Sequence, residues 1–310
     1  MVAFLSALNQ TAFLFGFIII GYLLVKLNTL SENAATVLSR LENSVFIPAL
    51  VMGTFIKNFT LEKLSVSWKL ILISFVIALI VIPVAILVSK AVTKDNYTQK
   101  IYTYGLSFSN FGFMGNAVVS ALFPDIFFGY LIFTLPLWIL IYVWGVPKLL
   151  ISNCDKKLTI KEKLKACVNP MFVSMIIGMI VGVCNLPIPK FMMSVIEISG
   201  DCMSPIARIL TGVVVSSFPL KKAFTNMGVY VVSMVRLVIL PLSFIGVSCL
   251  LNMPRTIFIC ALCSLMMPLG LNTIVIPSAY GKDASVAASM AIVSHFLAIV
   301  TIPLILLFVK

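Results

Sequence analysis

Long apolar runs alternate with short clusters of charged and turn-forming residues along the whole chain. A helix needs about 20 predominantly apolar residues to cross a bilayer. Runs that approach or exceed this length lie at 8–26, 42–57, 69–90, 100–122, 126–147, 169–186, 191–217, 226–251, 256–280 and 285–309. The pattern predicts ten membrane-spanning helices. Because no basic segment precedes the first run and no small-residue cleavage site follows it, we expect a first span and not a signal peptide.

Composition and charge support this interpretation. Of the 310 residues, 61% are hydrophobic and only 10% are charged, whereas soluble domains have roughly 25% charged residues. The formal net charge is +12, but the basic residues lie between the apolar runs. Fourteen of them fall in loops on one side of the predicted spans and six on the other. The positive-inside rule therefore places the first group in the cytoplasm and both termini outside.

The longest polar connector, 152–168, divides the chain into halves at 1–151 and 169–310, each with five predicted spans. The halves share residues at a nearly constant spacing of 156 to 158 positions. The matching pairs are Gly21 with Gly178, Pro48 with Pro205, Pro83 with Pro241, and Asn116 with Asn272. An odd number of spans in each half forces the second copy to enter the membrane from the opposite side. Inverted repeats of this kind are typical of secondary transporters.

Two apolar runs at corresponding positions contain residues that interrupt helices: 107–120 in the fourth span and 264–277 in the ninth. Such interruptions are tolerated at membrane depth only where protein buries them or they line a cavity. They predict a substrate site at the repeat interface, with half-helix N-termini directed at an anion. The alternative is ordinary packing by glycine and asparagine. The candidate substrate-binding residues are Asn110, Gly112, Gly115, Asn116, Pro268, Gly270, Asn272 and Thr273.

Few ionisable residues lie within the predicted spans. Glu197, Asp201 and Arg208 recur on one face of the seventh span, and either a structural ion network or an ion-coupling pathway would explain them. Arg236 in the eighth span is expected to snorkel towards an interface. The single histidine, His295, either relays protons or is a hydrogen-bonded packing residue, and we favour packing.

No enzyme motif is present, so no catalytic residue is assigned. The chain has no HExxH, GxSxG or Walker sequence, and the Cys260–Cys263 pair has no second ligand pair to complete a metal site. No cofactor and no nucleic-acid partner are expected. Carboxylates are scarce at the span centres, which disfavours cation exchange and favours a small organic anion as the substrate.

The interrupted segments carry a family resemblance. The sequences SNFGFMGNAVVSALFP and MPLGLNTIVIPSAYGKDASVAASMAIVSHFLAIVTIPLILL resemble the fourth span and the ninth and tenth spans of the auxin efflux carrier family. NSVFIPALVMGTF and SPIARILTGVVV are similar to its second and seventh spans. Ser109 and Ala117 stand where plant members carry prolines, so the fourth helix is expected to unwind less sharply. The short connector is similar to that of bacterial members, which are related to the plant auxin transporters and to bacterial malate and malonate carriers.

The resemblance implies an all-α integral membrane protein of the bacterial inner membrane, with ten helices in two inverted five-helix repeats and with helices 4 and 9 broken and crossing. Bile-acid symporters and sodium/proton antiporters share this fold. Helices 1, 2, 6 and 7 would form a scaffold, often a homodimer, and helices 3–5 and 8–10 a transport domain that moves like an elevator. Asn110 matches the substrate-contacting asparagine of the family, and Pro268 its crossover proline.

The implied function is secondary transport of a small carboxylate such as malate, malonate or an auxin-like acid. A first alternative is a sodium- or proton-coupled symporter of the bile-acid type, in which Asp201, Glu197 or His295 would carry the coupling. A second is a membrane-embedded enzyme, which would convert its substrate in detergent, where a carrier only binds.

Overall fold

The described part of the chain is built from helices. The computed structural model describes residues 16–31, 33–58, 61–150, 170–216, 224–270, 272–279, 282–283 and 285–309. The first half contains α1 (Gly16–Lys26), α2 (Ala34–Leu41), α3 (Ile47–Asn58), α4 (Leu61–Val92), α5 (Asn96–Ser107), α6 (Asn116–Leu122) and α7 (Phe127–Leu140). The second half contains α8 (Pro170–Cys184), α9 (Lys190–Ser216), α10 (Met227–Met234), α11 (Leu240–Leu251), α12 (Arg255–Met266), α13 (Asn272–Ala279) and α14 (Ser285–Leu306).

Several of these helices are continued or joined by π-helical turns. These turns lie at Glu42–Phe46, Phe111–Gly115, Ile141–Leu150 and Val235–Ile239. Because of them, α2 runs directly into α3, and α10 into α11. The connector 152–168 lies outside the described residues, and the first predicted span is described only from Gly16.

Four described helices are long and apolar enough to cross a membrane: Trp68–Val92, Lys190–Ser216, Met227–Leu251 and Ser285–Leu306. A fifth candidate is the pair Phe127–Leu140 and Val143–Leu150, which is bent by 43°. Gly16–Lys26, Val173–Cys184 and Arg255–Met266 are apolar but shorter. The described chain thus supplies four or five spans by length and composition, and the other five or six of the ten remain predictions.

Glycines allow α1, α3, α8 and α9 to pack closely. A methyl group on Gly21 would overlap the carbonyl oxygen of Ile209, so α1 and α9 touch through their backbones. A methyl group on Gly178 would lie 2.9 Å from the carbonyl oxygen of Met52, so α8 and α3 also approach each other closely. Small residues permit this approach between membrane helices, where dispersion contacts replace the hydrophobic effect as the driving force. The four helices form one tightly packed group.

Helix ends are defined by local hydrogen bonds and left-handed residues. Asp95 caps α5, since its carboxylate accepts a hydrogen bond from the backbone N–H of Thr98 at 2.7 Å. Hydrogen bonds from the Thr98 side chain and from its backbone N–H hold the pKa of Asp95 below its usual value. Asn28 follows α1 with φ 57°, and Asn185 follows α8 with φ 49°. Asparagine tolerates this conformation better than most residues, and both residues end their helices in the same way.

Candidate functional site

The interruptions of the fourth and ninth predicted spans lie against each other. After α5, Asn110 donates its backbone N–H to the carbonyl oxygen of Pro268 at 2.7 Å. Ser109 and Leu269 form an isolated antiparallel bridge, and the Ser109 hydroxyl donates to the Ser264 carbonyl at 2.7 Å. Backbone groups released by the breaks therefore bond across to the other break, as burial away from water requires.

Two further hydrogen bonds stabilise the second break. The backbone N–H of Leu269 donates to the Ser294 hydroxyl of α14 at 3.2 Å. The Thr273 hydroxyl donates to the carbonyl oxygen of Gly270 at 2.7 Å. A side chain at Gly270 would approach the carbonyl oxygen of Ser109 to 3.3 Å, so glycine lets the two segments cross at close range.

Arg236 is the charged centre of this crossing. It is only 2% exposed, and its two terminal nitrogens donate to the carbonyl oxygens of Leu106 and Ser264, each at 2.8 Å. These carbonyls belong to the C-terminal turns of α5 and α12, the helices that precede the two breaks. The expectation that Arg236 snorkels to an interface was therefore wrong, because two helix ends without intrahelical donors bind the guanidinium inside the protein.

Four candidate substrate-binding residues share one space. Asn110, Gly112, Gly270 and Asn272 line a cavity of about 10 Å³, together with Trp138 and neighbouring side chains. The Asn110 amide is 2% exposed, and its Nδ2 has no hydrogen-bond partner among the described residues. A space of this size holds about one water molecule, so this conformation is closed at the crossing.

Trp138 occupies the adjoining volume. Its ring packs edge-on against Phe111, with 5.0 Å between centroids, and a methyl group on Gly112 would collide with it. Movement of this indole relative to the crossing would enlarge the space beside Asn110.

The remaining candidates stand slightly apart. Pro268 supplies the carbonyl that Asn110 binds, and Thr273 braces Gly270, but neither is among the residues that line the cavity. Gly115 faces the hydroxyl of Tyr130, which donates to the Phe111 carbonyl at 3.1 Å.

Asn116 is buried in the first turn of α6, and its Oδ1 is unpaired within the described chain. It too is not among the residues that line the small cavity.

The structure separates Arg208 from Glu197 and Asp201, the other two ionisable candidates of α9. Glu197 pairs with Lys57 of α3 at 2.6 Å, and Glu197 and Asp201 line a large cavity of about 950 Å³. This cavity lies between the tightly packed group and the residues that lead into α7 and α12, Asp125 among them. Arg208 is instead buried 5.9 Å from the ring centroid of Phe17 in α1, and it is not among the residues that line the cavity.

His295 of α14 lines neither the cavity beside Asn110 nor the large cavity beside Glu197. It is 3% exposed, and its Nδ1 lies 2.7 Å from the carbonyl oxygen of Ala291 one turn earlier in α14. The geometry is that of a hydrogen-bonded side chain in an apolar setting, since the described residues around it are almost entirely hydrocarbon.

Sequence reasoning missed Arg236 as part of the site, although a signal was available. Arg236 lies ten positions inside the predicted span 226–251, which corresponds to roughly 15 Å along a helix. An arginine side chain at that depth has little opportunity to reach the headgroups, and a charge deep in a span is a functional candidate by default.

A comparison with known protein families identifies the kind of protein to which this chain belongs. The sequence profile of the membrane transport protein family matches residues 6–163 and 154–306, and so almost the whole chain. The chain belongs to this family, the auxin efflux carrier type of membrane transport protein. The two matches meet at the central connector, as expected for the short bacterial type. No curated protein matches the chain significantly.

Family membership, together with the apolar helices, makes this chain a multi-pass membrane transporter. The resemblance of its interrupted segments to auxin efflux carriers is thereby confirmed.

Proposed function

We propose that this transporter is a secondary carrier of a small organic anion, which binds at the crossing of the two broken helices. The observation that carries the proposal is the binding of Arg236 to the carbonyl ends of both α5 and α12. Malate, malonate or an auxin-like acid would suit such a site.

The electrostatic argument follows from the helix ends. Each helix C-terminus carries the equivalent of about half a negative charge, and each N-terminus about half a positive charge. Arg236 offsets the two negative ends that it binds. The N-terminal turns that begin at Phe111 and Asn272 contain no acidic residue. Among the described residues, the net electrostatic potential at the crossing is therefore expected to be positive. The unpaired Asn110 Nδ2 adds a buried donor that a carboxylate would accept from.

An inverted repeat of ten helices is part of the proposal, and several contacts support it. Gly21 contacts Ile209, and Gly178 contacts Met52. Gly21 and Gly178 are 157 residues apart in the sequence, and so are Met52 and Ile209. Exchanging the halves therefore turns one contact into the other, as a pseudo-two-fold axis requires. Asn28 and Asn185, with their left-handed backbone, are also 157 residues apart.

An elevator movement fits this geometry. In this proposal the static scaffold consists of α1, α3, α8 and α9. The crossing helices and their neighbours form the moving body. The large cavity of about 950 Å³ lies between the two groups, whereas the crossing itself is closed. A substrate would need a rearrangement that opens the space beside Asn110.

The test is a thermal-shift screen of the purified protein against mono- and dicarboxylates, indole-acetate and bile acids, with and without sodium. A ligand at 100 times its dissociation constant adds about 2.7 kcal/mol to stability. We expect a carboxylate to stabilise the protein without sodium. Stabilisation only with sodium would favour the coupled symporter, and turnover of substrate in detergent would favour an enzyme.

The variants Asn110→Ala and Asn272→Ala locate the site. Because a hydrogen bond to a charged group contributes about 1.5–3 kcal/mol, each should weaken binding roughly 10- to 100-fold. Asn43→Ala is the matched control, since the Asn43 amide lies far from the crossing in sequence and donates to Ser39 in its own helical segment. Wild-type affinity in both crossing variants would place the substrate elsewhere.

A further inference from the structure

Two of the residues that line the cavity beside Asn110 lie nearer the protein surface than the rest. Trp138 and Asn272 are half-buried, whereas the other seven lining residues are buried. Asn110 itself is only 2% exposed. Trp138 and Asn272 therefore form the outer side of this cavity, between the surface and Asn110.

The six-membered ring of the Trp138 indole lies over the backbone at Gly112. A methyl group on Gly112 would collide with Cζ2 of this ring and would lie 2.8 Å from its Cη2. The same indole packs edge-on against Phe111, with 5.0 Å between centroids. Glycine at position 112 thus allows the outer part of the indole to fill space that a ligand beside Asn110 would need.

The backbone on the inner side of the cavity is held in place by hydrogen bonds. The N–H of Asn110 donates to the Pro268 carbonyl at 2.7 Å, and Ser109 pairs with Leu269 across the two breaks. Arg236 binds the ends of both helices that precede the breaks. Separating the breaks would cost these hydrogen bonds, so the space of about 10 Å³ is enlarged more easily by moving α7.

The local structure of α7 allows such a movement at Trp138. Pro136 lies two residues before it inside the helix, where proline removes a backbone donor and clashes with the preceding turn. A π-helical turn begins at Ile141, and the helical segments on either side of this point are bent by 43°. Prolines and π-helical turns are common causes of helix bends. A change in this bend would shift the indole relative to Gly112.

We propose that Trp138 is the gate of the anion site and determines the size of the acid that the crossing admits. This inference rests on the proposed function, because it concerns the same site. The carboxylate lies beside Asn110, and the side chain at position 138 sets the room for the rest of the acid. With tryptophan there, a change in the bend of α7 admits a compact aliphatic acid and excludes an acid with a ring system.

A first experiment measures closure of the crossing without any acid. Asn110→Cys in a cysteine-free, full-length protein in nanodiscs is treated with methyl methanethiosulfonate, a small neutral thiol reagent, and modification is followed by mass spectrometry. Trp138→Phe removes the outer part of the indole but keeps an aromatic ring against Phe111, so modification should be roughly tenfold faster. Trp144→Phe is the matched control, since Trp144 packs against Phe108 and does not line the cavity. Equal rates in these two variants would overturn the proposal.

A second experiment compares malonate with indole-acetate through the concentration dependence of the thermal shift. We expect the wild-type protein to bind malonate more tightly. In Trp138→Phe and in the smaller Trp138→Leu, the affinity for indole-acetate relative to malonate should rise by roughly tenfold or more, as added room in an apolar pocket allows. Trp144→Phe should keep the wild-type ratio.

An unchanged ratio in both Trp138 variants would overturn the role of this residue in size selection. The two experiments also separate this inference from the proposed function. If neither acid binds to any of these proteins while Trp138→Phe still accelerates thiol modification, the proposed function fails and closure of the crossing by Trp138 stands.

Discussion

Arg236 shows how one residue can serve two halves of a repeated structure. Pro83 and Pro241 correspond at a spacing of 158 residues, so the counterpart of Arg236 is Ala78. Ala78 is buried, and together with Arg236 it lines a second cavity of about 10 Å³, distinct from the one beside Asn110. A small side chain in one half thus leaves room for the guanidinium of the other, which reaches both helix ends. The planar fork of arginine suits two carbonyl acceptors better than the ammonium of lysine does.

Replacing Arg236 tests this role. In Arg236→Met, two buried carbonyls lose their donor, each at about 1–3 kcal/mol, and the crossing loses its positive charge. We expect lower thermal stability and loss of carboxylate-induced stabilisation. Arg236→Lys keeps the charge but cannot bind both carbonyls in the same way, so it should retain part of the ligand response.

The control is Arg255→Met, because that arginine is exposed and lies 3.6 Å from Asp125 at the surface. Arg255→Met should change neither the thermal stability nor the carboxylate-induced stabilisation strongly. Carboxylate binding at wild-type strength in Arg236→Met would contradict the electrostatic argument.

At the scale of elements, local chemistry explains why some helices break and others touch. Pro268 removes a backbone donor and clashes with the preceding turn, and α12 ends at Met266. The fourth span has no proline at the corresponding place, yet α5 ends at Ser107 and a π-helical turn follows at Phe111. Cross-break hydrogen bonds stabilise this interruption.

The close contact of α1 with α9 can be tested at Gly21. In Gly21→Ala the new methyl group overlaps the Ile209 carbonyl, so the helices must separate. Overpacking of this kind costs about 1–3 kcal/mol, and we expect a lower midpoint of thermal unfolding in detergent. Gly246→Ala is the matched control, because nothing lies within 4 Å of its added methyl group. Equal midpoints for the two variants would show that the contact does not determine stability.

At the scale of the whole molecule, two groups of helices meet across a limited set of contacts. One such contact joins Phe55 of α3 and Phe128 of α7, with ring centroids 5.3 Å apart. An elevator requires this contact to break during transport. The scaffold homodimer, by contrast, stays a prediction from the family resemblance, as do the inner-membrane location and the external termini.

Cross-linking tests whether the two groups move. In a cysteine-free background, Phe55→Cys with Phe128→Cys, joined by a short bifunctional thiol reagent, should abolish transport in proteoliposomes. The control pair is Phe244→Cys with Phe258→Cys, since these stacked rings lie 6.0 Å apart within the proposed moving body. Cross-linking the control should leave transport intact. Transport that survives the Phe55–Phe128 cross-link would exclude relative movement at this contact.

The sequence was sufficient for features that depend on local composition. Apolar runs of membrane length indicated a helical membrane protein, and the family match agrees. The interruptions near Asn110 and Pro268 follow from glycine and proline, whose backbone effects act within a single turn. The resemblance to auxin efflux carriers was evident in the same segments.

Only the tertiary structure could decide which distant groups meet. Arg236 binds carbonyls 130 and 28 residues away, and Glu197 pairs with Lys57 and not with a neighbour in its own helix. Periodicity shows which face of a helix is apolar, but it does not show which helix covers that face. Partners of buried polar groups are chosen by packing in three dimensions, because each must find a hydrogen bond where water cannot supply one.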